Sequence, residues 1–230
     1  MSSTKNRDNL ESRLSITLAI TGASGVQYGL RLLQCLLAAD IKVYLMISKA
    51  AHLVIATETD LKLPSKVGLL GKALIDVFSQ QTEQVIGPEL LEVLGPEQWT
   101  APVASGSSGP HSMVICPCST GTLSAVATGA SNNLIERAAD VVLKERKRLI
   151  IVPRETPYSL IHLEHMLKLT QMGAIVLPAS PGFYHNPKSI NDLVDFIVAR
   201  ILDKLEIKQT LMPRWGYALQ GTREGKEQSR

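Results

Sequence analysis

Several short runs combine residue types that can do chemistry together. The first is Thr21-Gly22-Ala23-Ser24-Gly25. Its glycines let backbone approach a ligand, and Ser24 adds a hydroxyl. The run opens a segment of helical period, and a helix N-terminus favours an anion. A plain strand-to-helix turn has the same outline, but two glycines with a hydroxyl favour ligand contact. The spacing Gly22-x-x-Gly25-x-x-x-Gly29 is neither the G-x-G-x-x-G of dinucleotide sites nor a G-x-x-x-x-G-K-[ST] phosphate loop. The second run, Met46-Ile47-Ser48-Lys49, ends in a hydroxyl and a cation. A nicotinamide dinucleotide site wants Asp or Glu there, for a ribose diol. Ser48 and Lys49 suit a phosphate, which points to a mononucleotide such as FMN.

The run Cys116-Pro-Cys118-Ser119-Thr120-Gly121-Thr122 offers hydroxyls and backbone donors at a helix start, able to cradle a phosphate or a ring edge. Ala104-Ser105-Gly106-Ser107-Ser108-Gly109 is a loop of small residues. Each also reads as a helix cap or a flexible turn. Val152-Pro153-Arg154-Glu155-Thr156-Pro157 holds an Arg and a Glu in a stiff loop. Arg forks onto phosphate, and Glu serves as general acid or base. A solvated pair is the alternative. Tyr184, after Pro181-Gly182-Phe183, is a candidate ligand hydroxyl. Trp215 is a docking anchor or the cap of a site, Arg200 has a solvated helix face as its default, and Lys144 heads a basic run. His162 and His165 lie three apart with no further ligand evident, so a polar helix face or subunit contact is favoured over a metal.

The elements that must position these residues alternate. Strands are predicted over 14–21, 41–47, 112–116, 149–152 and 174–177, from short apolar β-branched runs. Helices are predicted over 25–39, 50–57, 119–128, 133–145, 159–170 and 189–205. Residues 66–98 are expected to hold a helix or two at one edge. This alternation predicts an α/β fold: a Rossmann-like, flavodoxin-related, doubly wound parallel sheet in a single domain, with ligands beyond the carboxyl ends of the strands. The expected organisation is a disordered tail over 1–13, one domain over 14–217 and a second disordered tail over 218–230.

Composition sets the bounds. The chain has 230 residues, 45% apolar and 20% charged, which suits a globular domain. Its net charge of +3 is too weak to argue for nucleic acid or an anionic membrane. No apolar run reaches the ~20 residues of a membrane helix, and the first thirteen residues lack a signal-peptide core. The odd set Cys35, Cys116 and Cys118 argues against a disulfide scaffold and for a reducing cytoplasm. These thiols read as small buried apolar groups. No Asp-rich motif occurs of the kind that holds magnesium and pyrophosphate.

The runs above, with Ala56-Thr57-Glu58-Thr59-Asp60, Asn133-Leu-Ile-Glu-Arg137-Ala and Pro213-Arg-Trp215, occur in an order that strongly resembles the UbiX-type flavin prenyltransferases, from about Ile16 to Gly216. The resemblance implies a metal-independent dodecamer. It would join a dimethylallyl group from dimethylallyl monophosphate to N5 and C6 of reduced FMN. The prenylated FMN would serve a UbiD-type decarboxylase, for instance in ubiquinone synthesis. By resemblance, Gly22, Ala23, Ser24, Ser48, Ser119, Thr120, Gly121, Thr122, Arg154 and, more weakly, Arg137 touch FMN. Ser24 and Glu58 assist proton movement. Ser105, Lys144, Arg154, Glu155, Tyr184 and Arg200 surround the prenyl phosphate, with Lys144 and Glu155 serving the leaving group, and Trp215 closes the pocket. The weighed alternatives are an FMN-dependent decarboxylase of the cysteine-peptide or pantothenoyl-cysteine type and a non-catalytic FMN carrier.

Overall fold

The computed structural model describes residues 14–64 and 66–212. Trp215 and the expected tails over 1–13 and 218–230 lie outside the described residues. The chain forms two compact units, one ending at Ser180 and the other beginning at Pro181.

The first unit alternates strand and helix. Strand β1 (Ser15–Ile20) leads to helix α1 (Val26–Ala38), β2 (Lys42–Ile47) to α2 (Lys49–Glu58), and α3 (Val67–Thr82) to β3 (Leu91–Val93). Then follow β4 (Ser112–Cys118), α4 (Thr120–Thr128), α5 (Leu134–Lys144), β5 (Arg148–Pro153), α6 (Leu160–Gln171) and β6 (Ile175–Val176). The strands form one sheet in the order β3-β2-β1-β4-β5-β6, every recorded pairing parallel. This is the doubly wound arrangement, as expected. Its crossovers diverge on either side of the β1/β4 pair, and there the carboxyl ends of the strands leave a crevice.

The strands read as unbroken apolar runs because both faces of the sheet are covered. Residues 16–20 of β1 are all buried. One face packs Ala19, Met46, Ile115 and Ile151 with Leu123, Leu134, Val142 and Leu169 from α4, α5 and α6. Strand β3 is the element missing from the expected set. It is a three-residue edge strand, too short to show an alternation, in the segment expected to be helical.

The second unit contains α7 (Ile190–Lys204). Its N-terminus carries a capping box: Ser189 Oγ accepts from the Asp192 amide, and the Asp192 carboxylate accepts from the Ser189 amide.

Gly29 sits in the buried stripe of α1. A Cβ there would collide with the carbonyl oxygen of Cys116 and crowd the Ile20 side chain. Ala normally stabilises a helix over Gly by about 0.5–1 kcal/mol. Overpacking costs about 1–3 kcal/mol, and an obstructing backbone atom cannot swing aside. Gly29→Ala is therefore expected to lower the melting temperature by roughly 2–6 °C. Calorimetry checks this; an unchanged or raised temperature would contradict the close approach of α1 to β4.

Candidate functional site

The loops after β1, β2, β4 and β5 meet at one edge of the sheet. After β1, the Ala23 amide donates to the Thr21 carbonyl at 2.8 Å, which bends the chain into the Gly22–Gly25 turn. Gly25 adopts a left-handed φ of 94° that favours glycine. A Cβ on Gly22 would meet the Ala50 Cβ at 2.5 Å, so this turn packs directly on the start of α2.

Gly25 gives α1 no side-chain cap. Glu58 takes that place: its Oε2 accepts from the amides of Gly25 at 2.8 Å and Val26 at 3.3 Å. A carboxylate suits the positive end of a helix. The half-buried Glu58, expected to assist proton movement, is thus held against the turn that carries Ser24. The Gln27 side-chain amide also donates to the Glu58 carbonyl at 3.2 Å.

The starts of α2 and α4 carry hydroxyl caps. Ser48 Oγ accepts from the Ala51 amide at 3.1 Å, and Ser119 Oγ accepts from the Thr122 amide at 3.3 Å. A hydroxyl that accepts from an amide keeps its own proton to give. Ser119 Oγ donates a hydrogen bond to Thr122 Oγ1 at 3.0 Å, which leaves the Thr122 hydroxyl as the terminal donor. The early amides of α4, at Thr120 and Gly121, have no partners within the helix by geometry. A Cβ on Gly121 would meet nothing within 4 Å, so backbone there borders open space.

Beside these starts lies a cleft of about 240 Å³. Met46, Ile47, Leu94, Pro96 and Ile135 form its apolar side, and Ser48, Lys49, Thr122, Asn133 and Glu136 its polar side. Ligand pockets usually run from about 300 Å³ upward, so this cleft accommodates part of a larger molecule. Asn133 is itself committed: its Oδ1 caps α5 through the Glu136 amide at 3.1 Å.

Arg154 joins the last loop to the first. Its Nε donates to the Ser24 carbonyl at 3.1 Å, and the terminal nitrogens of the fork suit an anionic oxygen. Glu155 follows, its Oε1 accepting from the Thr156 amide at 3.0 Å. Two phenols flank this pair. Burial pushes Tyr28 upward, and nearby Cys116 adds to this against the pull of Arg154. Burial raises Tyr158 too, with Glu155 adding and Arg154 opposing. Both therefore stay protonated donors at neutral pH. Burial also drives the Cys116 and Cys118 thiols far upward, so neither is a nucleophile near neutral pH.

The small-residue loop is held by a lysine of the basic run that Lys144 heads. Lys147 Nζ donates to the carbonyls of Gly106 at 3.0 Å and Gly109 at 2.9 Å. Within the loop, Ser105 Oγ lies 3.2 Å from Ser107 Oγ. Lys144, expected at a phosphate, is exposed and pairs with Glu145 at the end of α5. Helical phase cannot distinguish the two lysines, because Lys147 lies in the turn beyond the helix. Arg137 donates from Nε to the Ala104 carbonyl at 3.3 Å and pairs with Asp140 at 3.0 Å. It holds the other end of the same loop. In the second unit, Tyr184 packs edge-on against Phe196, with ring centroids 5.6 Å apart, and Arg200 pairs with Asp203 at 3.3 Å. His162 Nδ1 accepts from the Ser159 amide at 3.2 Å and so caps α6.

The fold and this edge define a class that holds flavin mononucleotides. The Flavoprotein family matches residues 3–202, and the chain belongs to it. At 61% and 48% identity over 201 residues to two curated members, the chain belongs more narrowly to the UbiX flavin prenyltransferases. The chain is 61% identical over 201 residues to the flavin prenyltransferase UbiX of Pseudomonas aeruginosa, which covers 87% of this chain and 93% of that protein. AnUbiX (PadA1), solved with FMN and dimethylallyl pyrophosphate, is 39% identical with a TM-score of 0.76, over 89% of this chain and 98% of that one. A dodecameric FMN-dependent UbiX-like decarboxylase from Escherichia coli O157:H7 is 33% identical with a TM-score of 0.75, over 88% and 99%.

The cleft fits FMN as its cofactor. An apolar wall suits a flat heterocycle, and hydroxyls, helix-start amides and Lys49 suit a polar ring edge and a phosphate.

If Glu58 serves α1 as a cap, its loss costs about 0.5–2 kcal/mol. Glu58→Ala should then lower the melting temperature of the ligand-free protein by roughly 2–6 °C, with Glu58→Gln losing less. Equal melting of Glu58→Ala and the native protein would rule the cap out.

Proposed function

We propose that this enzyme joins a dimethylallyl group from dimethylallyl monophosphate to N5 and C6 of reduced FMN, without a metal. We propose further that the prenylated FMN is released to a UbiD-type decarboxylase. The observation that carries the reading is the bond from Arg154 Nε to the Ser24 carbonyl. It puts the guanidinium of the β5 loop, with Glu155 next to it in sequence, against the glycine turn of β1. One loop edge then offers a flavin cradle and a phosphate clamp together.

In this reading the turns at Gly22–Ser24 and Ser119–Thr122, with Ser48, orient the flavin. Bound reduced FMN supplies the electron-rich ring that is alkylated. Arg154 holds the prenyl phosphate as it leaves and stabilises its growing charge. Glu155, seated on the Thr156 amide, protonates the departing oxygen. Ser24, beside the Glu58 carboxylate, serves proton movement at the ring. Lys147 fixes the Ser105 loop at the amino ends of β4 and β5, the opposite edge of the sheet. AnUbiX was solved with the pyrophosphate, so both donors belong in the assay.

The test is the mass of the bound flavin after anaerobic incubation with reduced FMN, a dimethylallyl donor and a chelator. One added C5 unit is expected, and Glu155→Gln should slow its appearance at least tenfold with FMN binding retained. An unchanged flavin mass on the native protein would sink the transferase reading and favour the decarboxylase or carrier.

Assembly as a homododecamer is proposed on two grounds. The Escherichia coli protein is dodecameric, and α6 leaves Leu160, Ile161, Leu163 and Leu167 each at least half exposed. An apolar stripe of this kind marks an interaction face. Sedimentation should give a particle of about twelve chains by analogy with that relative; a monomer would refute the assembly. No helix among the described residues is long and apolar enough to cross a membrane. We assign the protein to the cytoplasm, which cell fractionation checks.

A further inference from the structure

We infer that Thr21 is a positioning residue that sets the glycine turn of β1 in register with the hydroxyl turn of β4. The inference rests on the flavin reading of the site.

Strands β1 and β4 are paired from Ile16↔Ser112 to Ala19↔Ile115. Beyond Ile115 the register of β4 against β5 shifts, and pairing resumes at Cys118↔Pro153. The regular ladder between β1 and β4 has therefore stopped where the two ligand-facing turns begin. In a parallel ladder a residue donates from its amide to one neighbour and accepts at its carbonyl from the residue two further on. Thr21 keeps the first bond: its amide donates to the Pro117 carbonyl at 3.2 Å. It cannot make the second, because its carbonyl has turned away to accept from Ala23 at 2.8 Å.

The side chain replaces it. Thr21 Oγ1 accepts from the Ser119 amide at 2.8 Å and donates to the Pro117 carbonyl at 2.8 Å. One hydroxyl thus completes the ladder while the backbone of the same residue leaves it. Thr21 is only 1% exposed, so water cannot substitute for either partner. Ser119 is the cap of α4 and donates a hydrogen bond to Thr122, which lines the cleft. The chain from Thr21 through Ser119 to Thr122 connects residues far apart in sequence. Both turns that cradle the flavin are referred to one buried oxygen. Valine has the same shape but offers neither donor nor acceptor, whereas serine keeps both.

The experiment measures FMN dissociation constants by flavin fluorescence for native protein, Thr21→Val and Thr21→Ser, with KM for the prenyl donor at saturating FMN. Thr21→Val is expected to weaken FMN at least tenfold while the donor KM stays within twofold. Thr21→Ser should remain within threefold of native for FMN. Equal FMN affinity in Thr21→Val, even with a lowered melting temperature, would make Thr21 merely structural and overturn the inference. A tenfold loss in Thr21→Ser would do the same, since it would place the effect in the methyl group. If Thr21→Val does not fold, hydrogen exchange of the native protein decides: the Ser119 amide should be protected as strongly as the β4 amides, and rapid exchange overturns the inference. Native protein that binds no FMN would instead remove the flavin reading, and this inference with it.

Discussion

The parallel pairing of β1 with β4 is the constraint on which the site depends. Every other strand is added outward from this pair, three on one side and three on the other when β1 and β4 are themselves counted. Crossovers diverge there, so no helix covers the strand ends at the switch point. The loops after β1 and β4 are consequently both at the crevice and deprived of ladder partners. Buried backbone groups without partners are costly, and the structure supplies side chains for them. Thr21 does so between the strands, and Glu58 does so at the first helix.

The helix starts along this edge are not equivalent. A protein carboxylate occupies the start of α1, through the Gly25 and Val26 amides. Serines cap α2 and α4; Ser48 keeps its hydroxyl hydrogen to give and Ser119 spends its own on Thr122, whose hydroxyl then donates, whereas a carboxylate has none to give. An anionic group from outside would meet like charge at α1 but hydroxyls at α2 and α4. The polar side of the cleft, with Ser48, Lys49 and Thr122, coincides with the second kind of start. The arrangement separates a helix start capped by a carboxylate from starts capped by hydroxyls.

The cations that flank the two ends of the sheet spend part of their donor capacity on the protein itself. Arg154 holds the Ser24 carbonyl, Arg137 the Ala104 carbonyl, and Lys147 the carbonyls of Gly106 and Gly109. Loops of glycine and serine have little side-chain packing of their own, so such bonds are what fixes their shape. A guanidinium can hold backbone with one nitrogen and keep its fork for a phosphate, whereas an ammonium has a single centre. This distinguishes Arg154, which can do both, from Lys147, which is committed to the loop.

Local spacing was enough to read much of this molecule. The buried runs of β1, β2, β4 and β5, and the apolar stripes of α1 and α5, follow from residue periods, as does the placing of Gly22–Ser24, Ser48, Ser119–Thr122 and Arg154-Glu155 at strand ends. Strand β3 escaped because three residues carry no period. Lys147 escaped because its role depends on where the loop at 105–109 folds back. Glu58 was legible as a motif residue, but its bond to Gly25 spans 33 positions, and that of Thr21 to Pro117 spans 96. Period and composition are properties of neighbours along the chain, and they determined the elements and pointed to a mononucleotide at the strand ends. Which strand ends adjoin, and which buried oxygen completes a broken ladder, depends on strand order and register. Only the tertiary structure decides these, because they are set by packing the whole sheet.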